Sequence, residues 1–305
     1  MFEIVFLGTS ASAPSTHRGL PAQVIKHNEH RFLLDCGEGT QRQILKSGMG
    51  FRKLNRLLIT HGHLDHILGI GGLLSTYLRW EAMDSLDIYG GQHALNRIHD
   101  LIFKVVIRGM SAPFPINLIP VDAGPVIEEH DVTVSAFPVN HRGPGCFGYI
   151  FEEKGKRPFL AEKAESLGIP NGPWRRDLVH GIDTKLPDGR TIKADDILGP
   201  FERGTKLVTV GDTGETESLL PYCEGADAII CEATYLEEEA EMAAQFAHLT
   251  AKGAAELAVR AGAKQLFLTH ISRRYREKDV EKEARSVFPD AVVARDLDSY
   301  QVRKK

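Results

Sequence analysis

Residues 60 to 66 read Thr-His-Gly-His-Leu-Asp-His, which places three imidazoles and a carboxylate within one short segment, directly after an apolar run. Neutral imidazole and carboxylate are good ligands for Zn²⁺ and related divalent ions. His61 and His63, two residues apart, can address one ion while Asp65 and His66 reach a neighbouring one. An H-x-H-x-D-H string is far more specific than a lone histidine pair, and a merely solvated loop has no need of it. One loop rarely completes a two-ion site, so the other ligand-type residues that follow apolar runs matter. His141 follows 137–140, Asp212 follows 207–211 and His270 follows 266–269. The seven groups would fill two sites of three protein ligands each plus one shared carboxylate. That leaves positions open to water, the arrangement of metal-assisted hydrolysis.

These residues need strand ends to converge on. Alternating or continuous apolar runs predict strands over 2–7, 23–25, 31–35, 54–60, 86–89, 116–120, 132–137 and 147–152 in the first half. They predict further strands over 206–210, 228–231, 265–269 and 292–297 in the second. Helical periodicity predicts helices over 40–47, 67–80, 94–106, 250–261 and 280–287. Hairpins and helix-separated strands occur in both halves, so the expected class is α/β (α+β), with two packed sheets and helices outside them in four layers.

Residues 153–203 break this pattern, turning to Lys, Arg, Pro, Gly and Asp with scattered Phe159, Leu167, Trp174 and Leu178. The segment carries ten Lys/Arg against nine Asp/Glu, a net charge of +1. An insertion of this length is functional or disordered far more often than inert, and Trp174 with its leucines favours a partner-binding protrusion.

A net charge of −4 over 305 residues excludes a chain coated in basic charge, so any nucleic-acid contact must use a local patch. Cys36, Cys146, Cys223 and Cys231 form no CxxC pair, which argues against a disulfide scaffold or thiolate zinc site and fits a reducing, cytoplasmic compartment. No basic leader precedes the first apolar run, and no stretch is apolar enough to span a membrane. His17, His27, His30, His93, His99, His130 and His180 lack ligand company in sequence and read as surface or structural residues. Gly8 and the 69–72 run read as turns and close packing, since no nucleotide-binding fingerprint accompanies them.

Taken together, FLGTSASAP, FLLDCGEGTQRQ, HGHLDH, NHR, GDTG, AHLT and LTHIS resemble the metallo-β-lactamase superfamily. Within it they resemble the short form of ribonuclease Z, the transfer-RNA 3′-processing endonuclease. The resemblance covers the whole chain. It implies a four-layer αββα sandwich over 1–305, with 153–203 as an inserted transfer-RNA-binding arm. It implies two Zn²⁺ per subunit, one on His61, His63, His141 and Asp212, the other on Asp65, His66, His270 and the same Asp212. The implied reaction is attack of metal-activated hydroxide on a phosphodiester of precursor tRNA, after the discriminator base, leaving a 3′-hydroxyl. Asp65 would also accept a proton and His248 would protonate the leaving oxygen. Beyond what the resemblance implies, metal-binding imidazoles need their other nitrogen fixed, so Asp35 is expected to hold a ligand histidine from behind rather than bind metal, and Glu232 is expected to orient His248. In the arm, Gly172 and Pro173 match the family's Gly-Pro motif, and Arg175, Arg176, Arg273 and Arg274 are candidate RNA contacts. A homodimer is implied, one subunit's arm holding the tRNA that the other cuts. Where short forms carry Pro-x-Lys-x-Arg-Asn, this chain has Pro14, Arg18 and Gly19 without the Lys or Asn, so rejection of CCA-bearing tRNA is not implied. A small-phosphodiester hydrolase and a non-catalytic RNA-binding module with a closed structural metal site are the competing classes.

Overall fold

The computed structural model describes residues 1–80 and 83–304. The chain opens with strands β1 (Phe2–Gly8), β2 (Ala22–His27), β3 (His30–Leu34), β4 (Arg56–Leu58), β5 (Leu86–Gly90), β6 (Ile116–Pro120), β7 (Gly124–Glu128), β8 (Val132–Pro138) and β9 (Phe147–Glu153). The short pair β10 (Thr184–Lys185) and β11 (Thr191–Ile192) follows. Then come β12 (Lys206–Thr209), β13 (Ala228–Glu232), β14 (Leu266–Thr269), β15 (Val292–Val293) and β16 (Ser299–Val302). Two seven-stranded sheets result, ordered β16-β1-β2-β3-β4-β5-β6 and β15-β14-β13-β12-β9-β8-β7. In the first sheet β3 to β6 pair parallel, and in the second β12 to β15 do.

The period of two decides which core each side chain joins. From β1, Phe2, Ile4 and Phe6 enter the core between the sheets, where Phe151, Leu207, Ile230 and Phe267 of the second sheet meet them. Val5 and Leu7 point the other way, into a core with the helices of that face. These are α1 (Thr40–Lys46), α2 (Leu64–Ile67), α3 (Gly69–Trp80) and α4 (Gln92–His99). Later in the chain come α5 (Ala161–Ser166), α6 (Pro173–Val179), α7 (Leu220–Cys223), α8 (Ala240–Phe246), α9 (Ala251–Arg260) and α10 (Glu277–Arg285). Ala254, Ala258, Val280 and Ala284 of α9 and α10 cover Val208, Ile229 and Leu268 on the outer face of the second sheet. The layers run helix, sheet, sheet, helix, as expected. Strands buried on both faces explain the near-continuous apolar runs.

Several elements differ from expectation, each for a local reason. The strand expected over 54–60 stops at Leu58, because the Thr60 carbonyl turns to accept the Phe147 amide of the other sheet at 2.8 Å. The helix expected over 67–80 is split, since the Gly69 amide leaves the helical ladder for the Cys36 carbonyl at 2.9 Å. A Cβ on Gly69 would lie 1.9 Å from the Gly37 carbonyl oxygen, so only glycine allows this approach. The helix expected over 94–106 becomes α4 followed by a π-helical stretch, Asp100–Val106. The strand expected over 292–297 pairs only at Val292–Val293; Leu297 then turns with φ 71° and its amide reaches the Phe6 carbonyl, carrying β16 to the first sheet. β7 and β16 were not expected.

Two compact units are resolved, Met1–Glu152 with Thr205–Lys305, and Glu153–Gly204. The second unit has its own core of Ala164, Ile169, Leu178, Leu186, Ile192, Ile197 and Leu198, against which Phe159 and Trp174 pack. Its Trp174 indole N–H donates to the Pro170 carbonyl at 2.7 Å, and a Cβ on Gly172 would lie 2.2 Å from the same ring. Pro173 begins α6, where its missing N–H costs nothing.

Candidate metal centre

Every candidate ligand sits just beyond a strand end. His61, His63, Asp65 and His66 follow β4, His141 follows β8, Asp212 follows β12 and His270 follows β14. The carboxyl ends of parallel strands are where open α/β sheets place their sites. Asp212 lies in the middle: its Oδ2 is 3.3 Å from His270 Nε2, 3.4 Å from His66 Nε2, 3.8 Å from His61 Nε2 and 4.0 Å from His141 Nε2. Asp65 Oδ2 lies 3.6 Å from His270 Nε2 and 3.7 Å from His66 Nε2, and His63 Nδ1 lies 3.4 Å from His141 Nε2. The donor atoms fall into overlapping triads, among them His61–His63–His141, His61–His66–Asp212 and Asp65–His66–His270.

The histidines are oriented from behind. The Asp35 carboxylate accepts the Thr60 hydroxyl and amide at 2.8 Å each, and takes the His66 Nδ1–H at 2.8 Å. The Thr60 oxygen, having donated its proton, accepts the His61 Nδ1–H at 3.0 Å. The Ala247 carbonyl accepts from His141 Nδ1 at 2.7 Å. Thr234 donates to Glu232 and accepts the His270 Nδ1–H at 2.8 Å. Four rings are thereby set in the tautomer whose Nε2 lone pair faces the centre. His61 Nε2, His66 Nε2 and His270 Nε2 are buried there with no hydrogen-bond partner, a costly arrangement in the absence of a cation. The donor set therefore fits divalent metal of the N/O-binding kind.

Electrostatics favour the ligand forms. Burial, reinforced by neighbouring histidines, holds His61 well below its ordinary pKa, and burial with His141 pushes His63 down to about 4. Burial alone would raise Asp212 and Asp65, but the surrounding histidines win and keep both carboxyls ionised. His66 departs from this pattern: burial opposes its charge, yet Asp212 and Asp35 together raise it.

His248 stands beside the ligand set, stacked on His270 at 5.3 Å between ring centroids. Its Nδ1 lies 2.9 and 3.0 Å from the two Glu232 oxygens. Burial works against its charge, but Glu232 outweighs burial and raises its pKa. His63, Asp65, His248 and His270 line a cavity of about 400 Å³ together with Arg97 and Arg142. Sequence reasoning missed those two arginines, the supporting Thr60 and Thr234, and Ser12, whose amide donates to Asp65 Oδ2 at 3.0 Å.

Other candidates lie elsewhere. Gly172, Pro173, Arg175 and Arg176 belong to the second unit. Arg175 is committed there, donating to the Ile169 and Pro170 carbonyls, and Arg274 pairs with Glu239 at 2.9 Å. Arg273 opens onto a separate groove with Arg18 and Arg276. The Arg18 guanidinium is held by Thr9, the Ala294 carbonyl and Glu277.

The αββα sandwich with this ligand set defines a metallo-β-lactamase-fold hydrolase. A metallo-β-lactamase fold protein of Bacillus subtilis matches with a TM-score of 0.69 at 18% identity, covering 98% of both chains. The short form of human tRNase Z matches with a TM-score of 0.70 at 24% identity, covering 98% of this chain and 99% of that one. Residues 2–153 match a family model described as Anti-Pycsar protein Apyc1. A ribonuclease Z of Bradyrhizobium diazoefficiens is 43% identical over 298 residues, 98% of this chain and 99% of that protein. One from Methanothermobacter thermautotrophicus is 40% identical, over 99% of this chain and 97% of that protein. The chain belongs to the ribonuclease Z family, and it is an enzyme. No described helix is long and apolar enough to cross a membrane.

Proposed function

We propose that the chain is a cytoplasmic, zinc-dependent endoribonuclease that removes 3′ trailers from precursor tRNA, cutting after the discriminator base to leave a 3′-hydroxyl. Identity of 40–43% to ribonuclease Z proteins across almost the full length supports the substrate class. The observation that carries the chemistry is His248, held by Glu232, facing the same cavity as the ligand set. One zinc would be held by His61, His63, His141 and Asp212, the second by Asp65, His66, His270 and Asp212. When bound, the pair supplies Lewis acidity, lowering the pKa of water and offsetting charge at phosphorus. Asp65, ionised and held by the Ser12 amide, orients the attacking water and takes its proton. His248, whose protonated form Glu232 favours against burial, donates a proton to the leaving oxygen.

Residues 153–203 act as the arm that binds the body of the tRNA, with Gly172 and Pro173 at the start of α6 and Arg176 among its phosphate contacts, while Arg273 contributes a phosphate contact from the other unit. The working form is a homodimer in which one subunit's arm presents tRNA to the other's centre. Metal-loaded protein is expected to cut a 3′-extended precursor tRNA at a single position after the discriminator base. Asp65→Ala and His248→Ala are each expected to lose roughly two or more orders of magnitude in rate. No cleavage by folded, two-metal protein would overturn the reading.

A further inference from the structure

A second cluster of metal-ligating side chains lies away from this centre. His30 opens β3, about 16 Å from Asp35 at roughly 3.3 Å per residue along an extended chain, and it shares no residue with the ligand set described above. It faces the turn between β7 and β8, which carries His130 and Asp131. His30 Nε2 is 3.1 Å from Asp131 Oδ1, and His130 Nδ1 is 3.6 Å from the same oxygen. Donor atoms of Glu29, His30 and His130 lie within 4.8 Å of one another. The expectation that His30 and His130 lack ligand company is thus corrected, since about one hundred residues of sequence separate groups that sheet packing brings together; His27 is buried as a structural residue.

Asp131 is set as a ligand would be. Its Oδ2 takes the Asn28 side-chain amide at 2.5 Å and lies 3.2 Å from His27 Nε2, leaving Oδ1 directed at the two imidazoles. His27 is itself fixed, buried beside Phe2 with Nδ1 donating to the Met1 carbonyl at 3.1 Å. Burial would raise the Asp131 carboxyl, but Asn28 and His27, His30 and His130 lower it further, so it stays ionised. Zn–N and Zn–O bonds near 2.1 Å place neighbouring ligand atoms of a tetrahedron about 3.4 Å apart. The 3.1 and 3.6 Å separations bracket that value.

We infer that Glu29, His30, His130 and Asp131 form a peripheral site for a zinc-class divalent ion, which staples the β2–β3 hairpin of one sheet to the β7–β8 hairpin of the other. Two imidazoles and two carboxylates give the closed four-ligand set of a structural ion.

The test is zinc stoichiometry and zinc-dependent melting of the full chain, dialysed against zinc chloride at fixed free concentration. His130 is exposed, so His130→Ala keeps the fold, checked by circular dichroism. Wild type is expected to hold one zinc per chain more than His130→Ala or Glu29→Gln, with activity unchanged in both variants. Zinc is expected to raise the melting temperature of wild type beyond that of either variant. A combined His63→Ala, His66→Ala, Asp212→Ala variant, which removes ligands of both proposed catalytic ions, is expected to retain the peripheral zinc, which separates this site from the proposed catalytic one. Equal zinc content in wild type and His130→Ala overturns the inference. So does a variant melting difference that is the same with and without zinc, the result of hydrogen bonding alone.

Discussion

At the residue scale, the centre depends as much on groups behind the histidines as on the histidines themselves. Asp35 adopts φ 54°, a left-handed conformation that Asp and Asn tolerate, and from it both carboxylate oxygens hold the Thr60–His66 segment. Asp35→Asn keeps shape and backbone but loses the anionic acceptor. Metal affinity is expected to fall roughly 10- to 100-fold with the fold intact, measured by competition with a zinc chelator. The four thiols make an opposite case. Burial pushes Cys36 and Cys223 up to about 12 and Cys146 up to about 11, and raises Cys231 well above the ordinary value. Alkylation at pH 8 should therefore be slow in folded protein and rapid in guanidinium, counted by mass spectrometry. Fast labelling of native protein would contradict this burial.

At the element scale, strands were the more legible part, because burial on both faces writes long apolar runs. β1, β5, β6, β8 and β9 lie within a residue or two of their expected bounds. β7, with Gly124 and Pro125, gave no periodic signal, and β16 alternates only over four residues. Helix boundaries were lost where a backbone amide found a partner outside the helix, as Gly69 does at Cys36. The second unit is small enough for one core residue to matter. Leu178 is fully buried, so Leu178→Ala is expected to destabilise that unit by about 2–5 kcal/mol. Hydrogen exchange should show faster exchange in α5 and α6 while β12 to β14 stay protected. Uniform loss of protection across both sheets would contradict the separate core.

At the scale of the whole molecule, the ends of the chain are tied by charge. Glu277, at the start of α10, pairs with Arg295 at 2.6 Å and with Arg18 at 2.7 Å. Hydrogen bonding to Arg295, despite some burial and with help from Arg18, holds its carboxyl below the ordinary 4.5. A depressed folded pKa means stability that is full above about 4.5 and lost as pH falls through the folded value. Wild type should therefore melt higher than Glu277→Gln at neutral pH, and the gap should close below pH 4.5. A gap that did not narrow as pH fell below 4.5 would remove the ion pair as its cause.

The residue types and order of the seven ligand candidates, the strands that deliver them and the sheet-helix layering are local or periodic properties, so the amino-acid sequence alone determined them. Which ring nitrogen faces the centre is not local. It depends on Asp35, Thr60, Thr234 and the Ala247 carbonyl, joined only once the sheets pack. The same holds for His30 and Asp131, one hundred and one residues apart and brought to 3.1 Å by the meeting of two hairpins. Contacts across such separations have no period to read, because the packing of one sheet on the other creates them.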